Sequence, residues 1–499
     1  MDTRSTDLVS LFEDALRGVT EQKMQETGIV VQVGDNMCQV YGLTHAVFGE
    51  LITFAGGNRG IVFQLDEQVV SIFLLDSTIP VAEQEVASRT GTEFKIPVGD
   101  AFLGRVVDAQ ARPIDALGAI NATEYRSISE DVASIIQRTP INEPLETGIT
   151  AIDALVPIGR GQRELIIGNR GTGKTAVALD TILHQKGQNV ICIYVSVGLR
   201  QANMARIVQL LQENDALSYS VIVNADAGQT VLNQYLAPYV GCTIAEYFRD
   251  QGKDVLIVYD DLSNHATAFR EMSLLLRRSP GREAYPGDVF YLHSRLLERA
   301  GKFIAGGSIT ALPIVQIQSD DITAYIPTNL ISITDGQVFL DTQLFNQGVR
   351  PAVNVELSVS RVGGAAQTKA IKQVTKALRL ELAQYHELLN FAQFGSELDE
   401  VSQEKLRRGS LVVELLKQPR YVTYSFVDQT IMLFSLQEGY LNKLKFDQVT
   451  IFCEQLVSYV HSVYKDLYDT IYTSKELSDE TKERLKVVIE EFSKLFVEQ

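Results

Sequence analysis

The sequence predicts a multidomain chain: an N-terminal β-barrel, a central α/β nucleotide-binding domain built around a phosphate loop, and a C-terminal α-helical bundle. Three observations predict it. Between Gly28 and Ser88, short apolar runs are separated by turn clusters such as Gly34-Asp35-Asn36 and Gly56-Gly57-Asn58-Arg59-Gly60, the punctuation of a small barrel. From Glu164 to about residue 370, β-like runs alternate with helical patterns, as in a parallel sheet. From residue 367 the composition turns to Leu, Ala, Glu, Gln and Lys, with Gly395 and Gly409 the only glycines up to residue 418, as a bundle requires. The expected boundaries are 1–24 for an N-terminal amphipathic helix, 25–93 for the barrel, 94–375 for the α/β domain and 376–499 for the helical domain.

Bulk properties narrow the function. A length of 499 residues suits about three domains, and 45% hydrophobic residues suffice for large cores. The formal net charge of −17 argues against a protein whose main task is to grip nucleic acid. No apolar run of about 18 residues is present, so no membrane span is expected. Met1-Asp2-Thr3-Arg4-Ser5 lacks the charged-then-apolar pattern of a secretory signal. Cys38, Cys192, Cys242 and Cys453 lie far apart with no C-x-x-C spacing, which predicts buried free thiols in a reducing compartment.

In sequence order, residues 5–18 carry Leu8, Leu11, Phe12, Ala15 and Leu16 at helical spacing. This stripe stands ahead of any domain and needs a partner, in its own protein or another. Barrel strands are expected at Ile29–Val33, Cys38–Tyr41, Ile61–Phe63 and Val69–Phe73. Residues 95–160 connect, with a strand-like run over Leu103–Val107.

Gly168-Asn169-Arg170-Gly171-Thr172-Gly173-Lys174-Thr175 then fits G-x-x-x-x-G-K-[ST]. Glycines let backbone N–H groups surround a phosphate chain, the lysine brings charge to the outer phosphates, and the threonine hydroxyl serves their Mg²⁺. The flanks agree: Glu164–Ile167 reads as a buried strand, and Thr175–Lys186 as a helix stopped at Gly187. Further strands are expected at Asn189–Val195, Ser220–Val223 and Asp254–Tyr259, with helices over about Gln201–Asn214 and Gln229–Gln251. Pro238 should kink or break the second of these. Asp260, at a strand's C-terminal tip, suits the Mg²⁺-side acid of a second nucleotide motif. In the helical region, Leu441, Leu444, Leu456, Val460 and Tyr464 are the expected core beyond residue 440. Glu397–Glu400 and Lys405–Arg408 form a charged patch, read as a solvated face.

The whole sequence resembles the α subunit of F-type ATP synthase, whose core is RecA-like. The stretches that carry the resemblance are the phosphate loop, Ile257–Ser263, Pro280–Asp288, Ala324–Asn329, Ser332–Gln337, Arg350–Asn354 and Ser358–Gly363. The resemblance implies an alternating ring with β subunits around a rotating shaft, in which this chain holds a mostly non-exchanging ATP with Mg²⁺. It places Lys174, Thr175 and Asp260 on phosphates and Mg²⁺, with Arg170 beside them. Phe345, Arg350, Pro351 and Gln418 fall on the adenine side. Ser332 and Arg361 would act instead on the neighbouring β subunit's catalytic site. A guanidinium delivered across a boundary stabilises a transferring phosphoryl group; from the residues alone, Arg361 reads first as an ordinary salt-bridging arginine at the end of a strand over Val355–Ser360, and it is the resemblance that favours the role across the boundary. The resemblance also implies a peripheral-stalk partner for the N-terminal helix. It implies a peripheral complex on an energy-transducing membrane, at the cytoplasmic face of a bacterial inner membrane, working in ATP synthesis and ion transport.

Four positions depart from the family's usual pattern: Asn169 for aspartate, Gly171 for glutamine, Leu199 for glutamine and Arg420 for a second adenine-side glutamine. They bear on nucleotide affinity and exchange. A hexameric nucleic-acid translocase would share the core fold but needs stacking aromatics and basic channels. A catalytic β-type subunit needs glutamate after Gly198, where this sequence has Leu199.

Overall fold

The computed structural model describes residues 26–76, 78–122, 124–130, 132–393 and 399–497. The amphipathic helix expected over residues 5–18 lies outside them, as do Gly395 and part of the charged patch. The chain divides after Phe94 into two compact units.

The first unit is a closed barrel of β1 (Thr27–Gly34), β2 (Met37–Tyr41), β3 (Glu50–Phe54), β4 (Arg59–Leu65), β5 (Val69–Leu74) and β6 (Val86–Glu93). Its order is β1-β2-β5-β4-β3-β6, and β1 pairs β6 to close it. Asp35 and Asn36 both have positive φ, the left-handed pair that a two-residue hairpin between Gly34 and Met37 demands. Inward residues Val30, Val40, Ile52, Val62 and Ile72 make the core. Two strands escape sequence reading. Only Ala87 of β6 (VASRTGTE) is buried, so its polar text reads as loop, and β3 is a five-residue strand.

The second unit is organised on one sheet. Its strands are β7 (Val106–Asp108), β8 (Leu165–Asn169), β9 (Val190–Leu199), β10 (Ser220–Asp226), β11 (Asp254–Asp260), β12 (Ser308–Ile317), β13 (Gly336–Leu340) and β14 (Val359–Ser360). The order across the sheet is β14-β13-β8-β12-β11-β9-β10-β7. From β13 to β7 every pairing is parallel, so the strand C-termini align along one edge, where open α/β sheets bind ligands. β9 through β11 are almost continuously buried, as two-sided burial under helices requires.

Helices α1 (Lys174–His184), α2 (Gln201–Glu213), α3 (Val231–Asp250) and α4 (Leu262–Leu275) follow β8, β9, β10 and β11. Pro238 sits inside α3 and does not break it. Fourteen buried residues hold this helix in place, and that packing outweighs one lost backbone hydrogen bond. The run over Leu103–Val107 is a strand only from Val106, because Gly104 turns the backbone with φ +79. Over Val355–Ser360 only Val359–Ser360 is strand. Asn354 Oδ1 accepts from the backbone N–H of Glu356 and Leu357, fixing a turn in place of the expected β pairing.

The C-terminal helices are α5 (Lys369–Thr375), α6 (Leu378–Gln393), α7 (Glu400–Leu415), α8 (Phe426–Gln437), α9 (Phe446–Val463), α10 (Lys465–Ser474) and α11 (Asp479–Val497). Their core is continuous with that of the sheet: Ile152, Ile371, Leu411, Phe426 and Leu456 belong to one buried cluster. Leu441 and Val460 are buried, with Leu444 and Tyr464 packed at the margin. In the charged patch Lys405 is exposed, whereas Arg408 pairs with Glu381 and Arg407 donates to the Asn442 carbonyl. All four cysteines are buried and free. No helix among the described residues is long and apolar enough to cross a membrane.

Candidate functional site

β8 delivers the glycine loop and α1 leaves it, so the loop lies at the helix N-terminus where backbone N–H groups favour anions. Gly171 and Gly173 take φ of +84 and +101, with open space where a side chain would stand. Gly168 is different: a Cβ there would lie 2.6 Å from the Leu340 carbonyl, so glycine lets β8 and β13 close together. Thr172 Oγ1 donates to the Asn169 carbonyl at 2.9 Å, bracing the loop. Lys174 Nζ donates to the carbonyls of Gly168 (2.9 Å) and Asn169 (2.6 Å). Burial pushes this ammonium down to about 8, against the pull of Asp261 and Asp260.

β11 and β9 carry the acid side. Asp260 ends β11 in register with Ser196 of β9. Its Oδ2 accepts from Thr175 Oγ1 at 2.8 Å and from Tyr194 OH at 2.7 Å. Burial raises its carboxyl above the usual range, while the Tyr194 and Thr175 hydroxyls and the Lys174 charge oppose the rise. Asp261 is pushed up to about 7 by burial first and the Asp260 charge second. Its Oδ1 accepts from the Asn264 backbone N–H at 2.7 Å, so this carboxylate caps α4. Sequence reasoning misses Tyr194 as a site residue. Its signal is a hydroxyl inside an otherwise apolar buried run, which must find a partner.

Two adjoining cavities meet at the loop. One, of about 420 Å³, is lined by Phe345, Arg350, Pro351 and Gln418, together with Ile149, Asp180 and Arg420. The Arg350 guanidinium lies 4.4 Å from the Phe345 ring centroid. Gln418 has no spare amide hydrogen bonds: Nε2 donates to Gly148 O and Val422 O, and Oε1 accepts from Thr150 N and Oγ1. It shapes the wall more than it reads a ligand. The second, a cleft of about 1880 Å³, is lined by Arg170, Lys174, Thr175, Asp260, Asp261 and Leu199, with Arg200, Arg206 and Arg420.

Asn169 faces away from the cleft floor. Its Nδ2 donates to Asp320 Oδ1 and Thr342 Oγ1, both at 2.9 Å, and its Oδ1 accepts from Asp320 N. An aspartate there would oppose Asp320, so the departure at residue 169 has a local cause. Leu199 lines the cleft at the end of β9, opposite Asp226 in the β9–β10 pairing.

Ser332 and Arg361 line neither cavity. Ser332 is exposed, and its hydroxyl donates to Asn329 O at 2.6 Å. Arg361 follows the edge strand β14; its backbone N–H donates to Asp335 O at 2.8 Å, and the residue is exposed.

Comparison with known proteins gives three matching family models. They are the β-barrel domain of the ATP synthase alpha/beta family over residues 23–91, its nucleotide-binding domain over 148–360, and its C-terminal domain over 367–492. The sequence is 52% identical to the ATP synthase subunit alpha of Wolinella succinogenes, covering 95% of each. It is 50% identical to that of Clostridium botulinum, covering 100% of each.

Proposed function

The protein belongs to the ATP synthase alpha/beta family, as an alpha subunit, and from that premise we propose that it holds ATP with Mg²⁺ without hydrolysing it. The donor set fits the ion. The Thr175 hydroxyl and Asp260 carboxylate are hard oxygen ligands at the loop, suited to Mg²⁺. No cluster of three His, Cys, Asp or Glu stands among the described residues, so phosphates and water would complete the shell. The bound ion neutralises charge on the phosphates. Lys174 and Arg170 bind and orient those phosphates, and the pocket of Phe345, Arg350 and Pro351 takes the base.

The observation that carries the reading is Leu199. It occupies the cleft position where a water-activating acid belongs in a catalytic β-type subunit, and an isobutyl group neither accepts a proton nor orients water. Among the described residues, only Asp260 and Asp261 bring carboxylates to that cleft. The first is engaged by two hydroxyls and the second caps a helix. Loss of a general base costs about 10²–10⁴-fold in rate.

Arg361 and Ser332, outside this subunit's own cavities, then serve a neighbouring β subunit's catalytic site. The wider reading is an alternating ring around a central rotor shaft, tied to a peripheral stalk through the N-terminal residues. Its work is ATP synthesis and hydrolysis coupled to ion translocation at the cytoplasmic face of an energy-transducing bacterial membrane.

The test is single-turnover kinetics on the isolated full-length protein loaded with radiolabelled ATP and Mg²⁺. Intact nucleotide retained over many minutes is expected. Phosphate release at the rate of the assembled complex, with β contamination excluded, would overturn the non-hydrolytic reading.

A further inference from the structure

The walls of the large cleft carry more positive charge than the nucleotide reading uses. Arg170, Lys174, Arg200, Arg206 and Arg420 face it against the carboxylates of Asp260 and Asp261, in a protein of net charge −17. None of these four guanidiniums has a close ion pair, hydrogen bond or ring partner among the described residues, although the Asp180 carboxylate feels the Arg420 charge; among the described arginines only Arg277 and Arg361 share that condition. Elsewhere arginines are engaged: Arg105 with Asp115, Arg163 with Asp335, Arg299 with Glu246. Unpaired arginines are therefore concentrated in one cleft.

Their placement follows from the helix. Arg200 is the residue before α2, and Asn203, Arg206 and Ile207 recur at the three- and four-residue spacing that puts side chains on one face. α2 thus lines the cleft with two guanidiniums, and the loop after α7 adds Arg420. Lys174 and Arg170 suffice for a triphosphate, about half of whose charge the accompanying Mg²⁺ cancels. Leu199, beside Arg200, adds an apolar surface and no acid to repel further phosphate.

We infer that Arg200 and Arg206 form a subsite for a condensed phosphate chain longer than a triphosphate. The inference rests on the nucleotide reading of the glycine loop. The ligand class is a polyphosphate of four or more phosphoryl groups, either ending in a nucleoside or free.

The experiment is titration calorimetry on the full-length protein with ATP, adenosine 5′-tetraphosphate and linear tetrapolyphosphate, at equal free Mg²⁺. Adenosine tetraphosphate is expected to bind about tenfold more tightly than ATP at low salt, and to lose that margin near 1 M salt. The double variant Arg200→Gln/Arg206→Gln should equalise the two ligands and hold ATP affinity within about twofold. Competition of tetrapolyphosphate with the tetraphosphate, sensitive to the same variant, identifies free polyphosphate as a ligand; competition by the nucleotide alone identifies the nucleoside form. Equal affinities in the unaltered protein overturn the inference. So does a preference that survives the double variant while the variant fails to join a ring, which assigns these arginines to a neighbouring subunit. Tetrapolyphosphate binding without any ATP binding would sink the nucleotide reading and spare the cleft.

Discussion

Thr175 and Asp260 are joined by a hydrogen bond of 2.8 Å, and Tyr194 approaches the same carboxylate oxygen from the adjacent strand at 2.7 Å. One buried acid thus fixes the rotamer of the loop threonine. Thr175→Val keeps the shape and removes the hydroxyl. The Mg²⁺-dependent part of ATP affinity should fall by about 10–100-fold, while affinity in EDTA stays level. Binding measured with and without Mg²⁺ checks this; an unaltered Mg²⁺ effect refutes the ligand role of Thr175.

Arg361 is exposed, lies at the end of an edge strand and lines neither cavity of its own subunit. Arg361→Ala should leave ring assembly intact and lower steady-state ATP turnover of the complex by about 10³-fold or more. Arg361→Lys should recover little, since an ammonium lacks the planar fork. Normal turnover in a correctly assembled mutant ring would rule the role out.

His265 and His293 are fully buried with ring centroids 5.5 Å apart, among Tyr235, Tyr239 and Phe269. His265 Nε2 donates to the Tyr235 carbonyl at 3.0 Å. Burial lowers His265 to about 4 and His293 well below its ordinary value. Between pH 6.5 and 4 the unfolded state therefore binds more protons than the folded one. The stability present above pH 6.5 is lost as pH falls, by about 3 kcal/mol at pH 4 from His265 alone. Urea unfolding across this window should show a shallower pH slope in His293→Leu than in the unaltered protein. Identical slopes would clear His293 of any part in acid sensitivity.

Gly409 packs α7 against α6: an added Cβ would lie 2.4 Å from the Tyr385 ring. Alanine raises helix propensity by about 1 kcal/mol, but overpacking a fixed aromatic costs about 1–3 kcal/mol. Gly409→Ala should therefore destabilise the protein. A raised melting temperature in calorimetry would show that the propensity gain wins.

Some of this was legible in the sequence because local chemistry set it. Strand, glycine loop and helix are contiguous, and Asp260 sits where a buried apolar run meets its first acid, so both were readable. Three features depended on distant partners. Tyr194 is hidden in an apolar strand until β11 brings Asp260 beside it. Asn169 looks like a loop substitution until Asp320, 151 residues away, appears opposite it. Gln418 lines the pocket as expected, but that Gly148 and Thr150 hold its amide shows only once the distant segments meet. Pro238 misleads in the other direction, since propensity gives way to a helix buried along most of its length.

The large sheet ends in two stubs, Val106–Asp108 on one side and Val359–Ser360 on the other. Between them run strands buried along almost their whole length, β9, β10 and β11. Open ladders beside such segments invite stray strands and fibrils. Here a stray strand finds three residues to pair with at one edge and two at the other, and the Val107–Pro113 bridge occupies part of the first. Each edge therefore offers a stray strand too short a ladder to hold it.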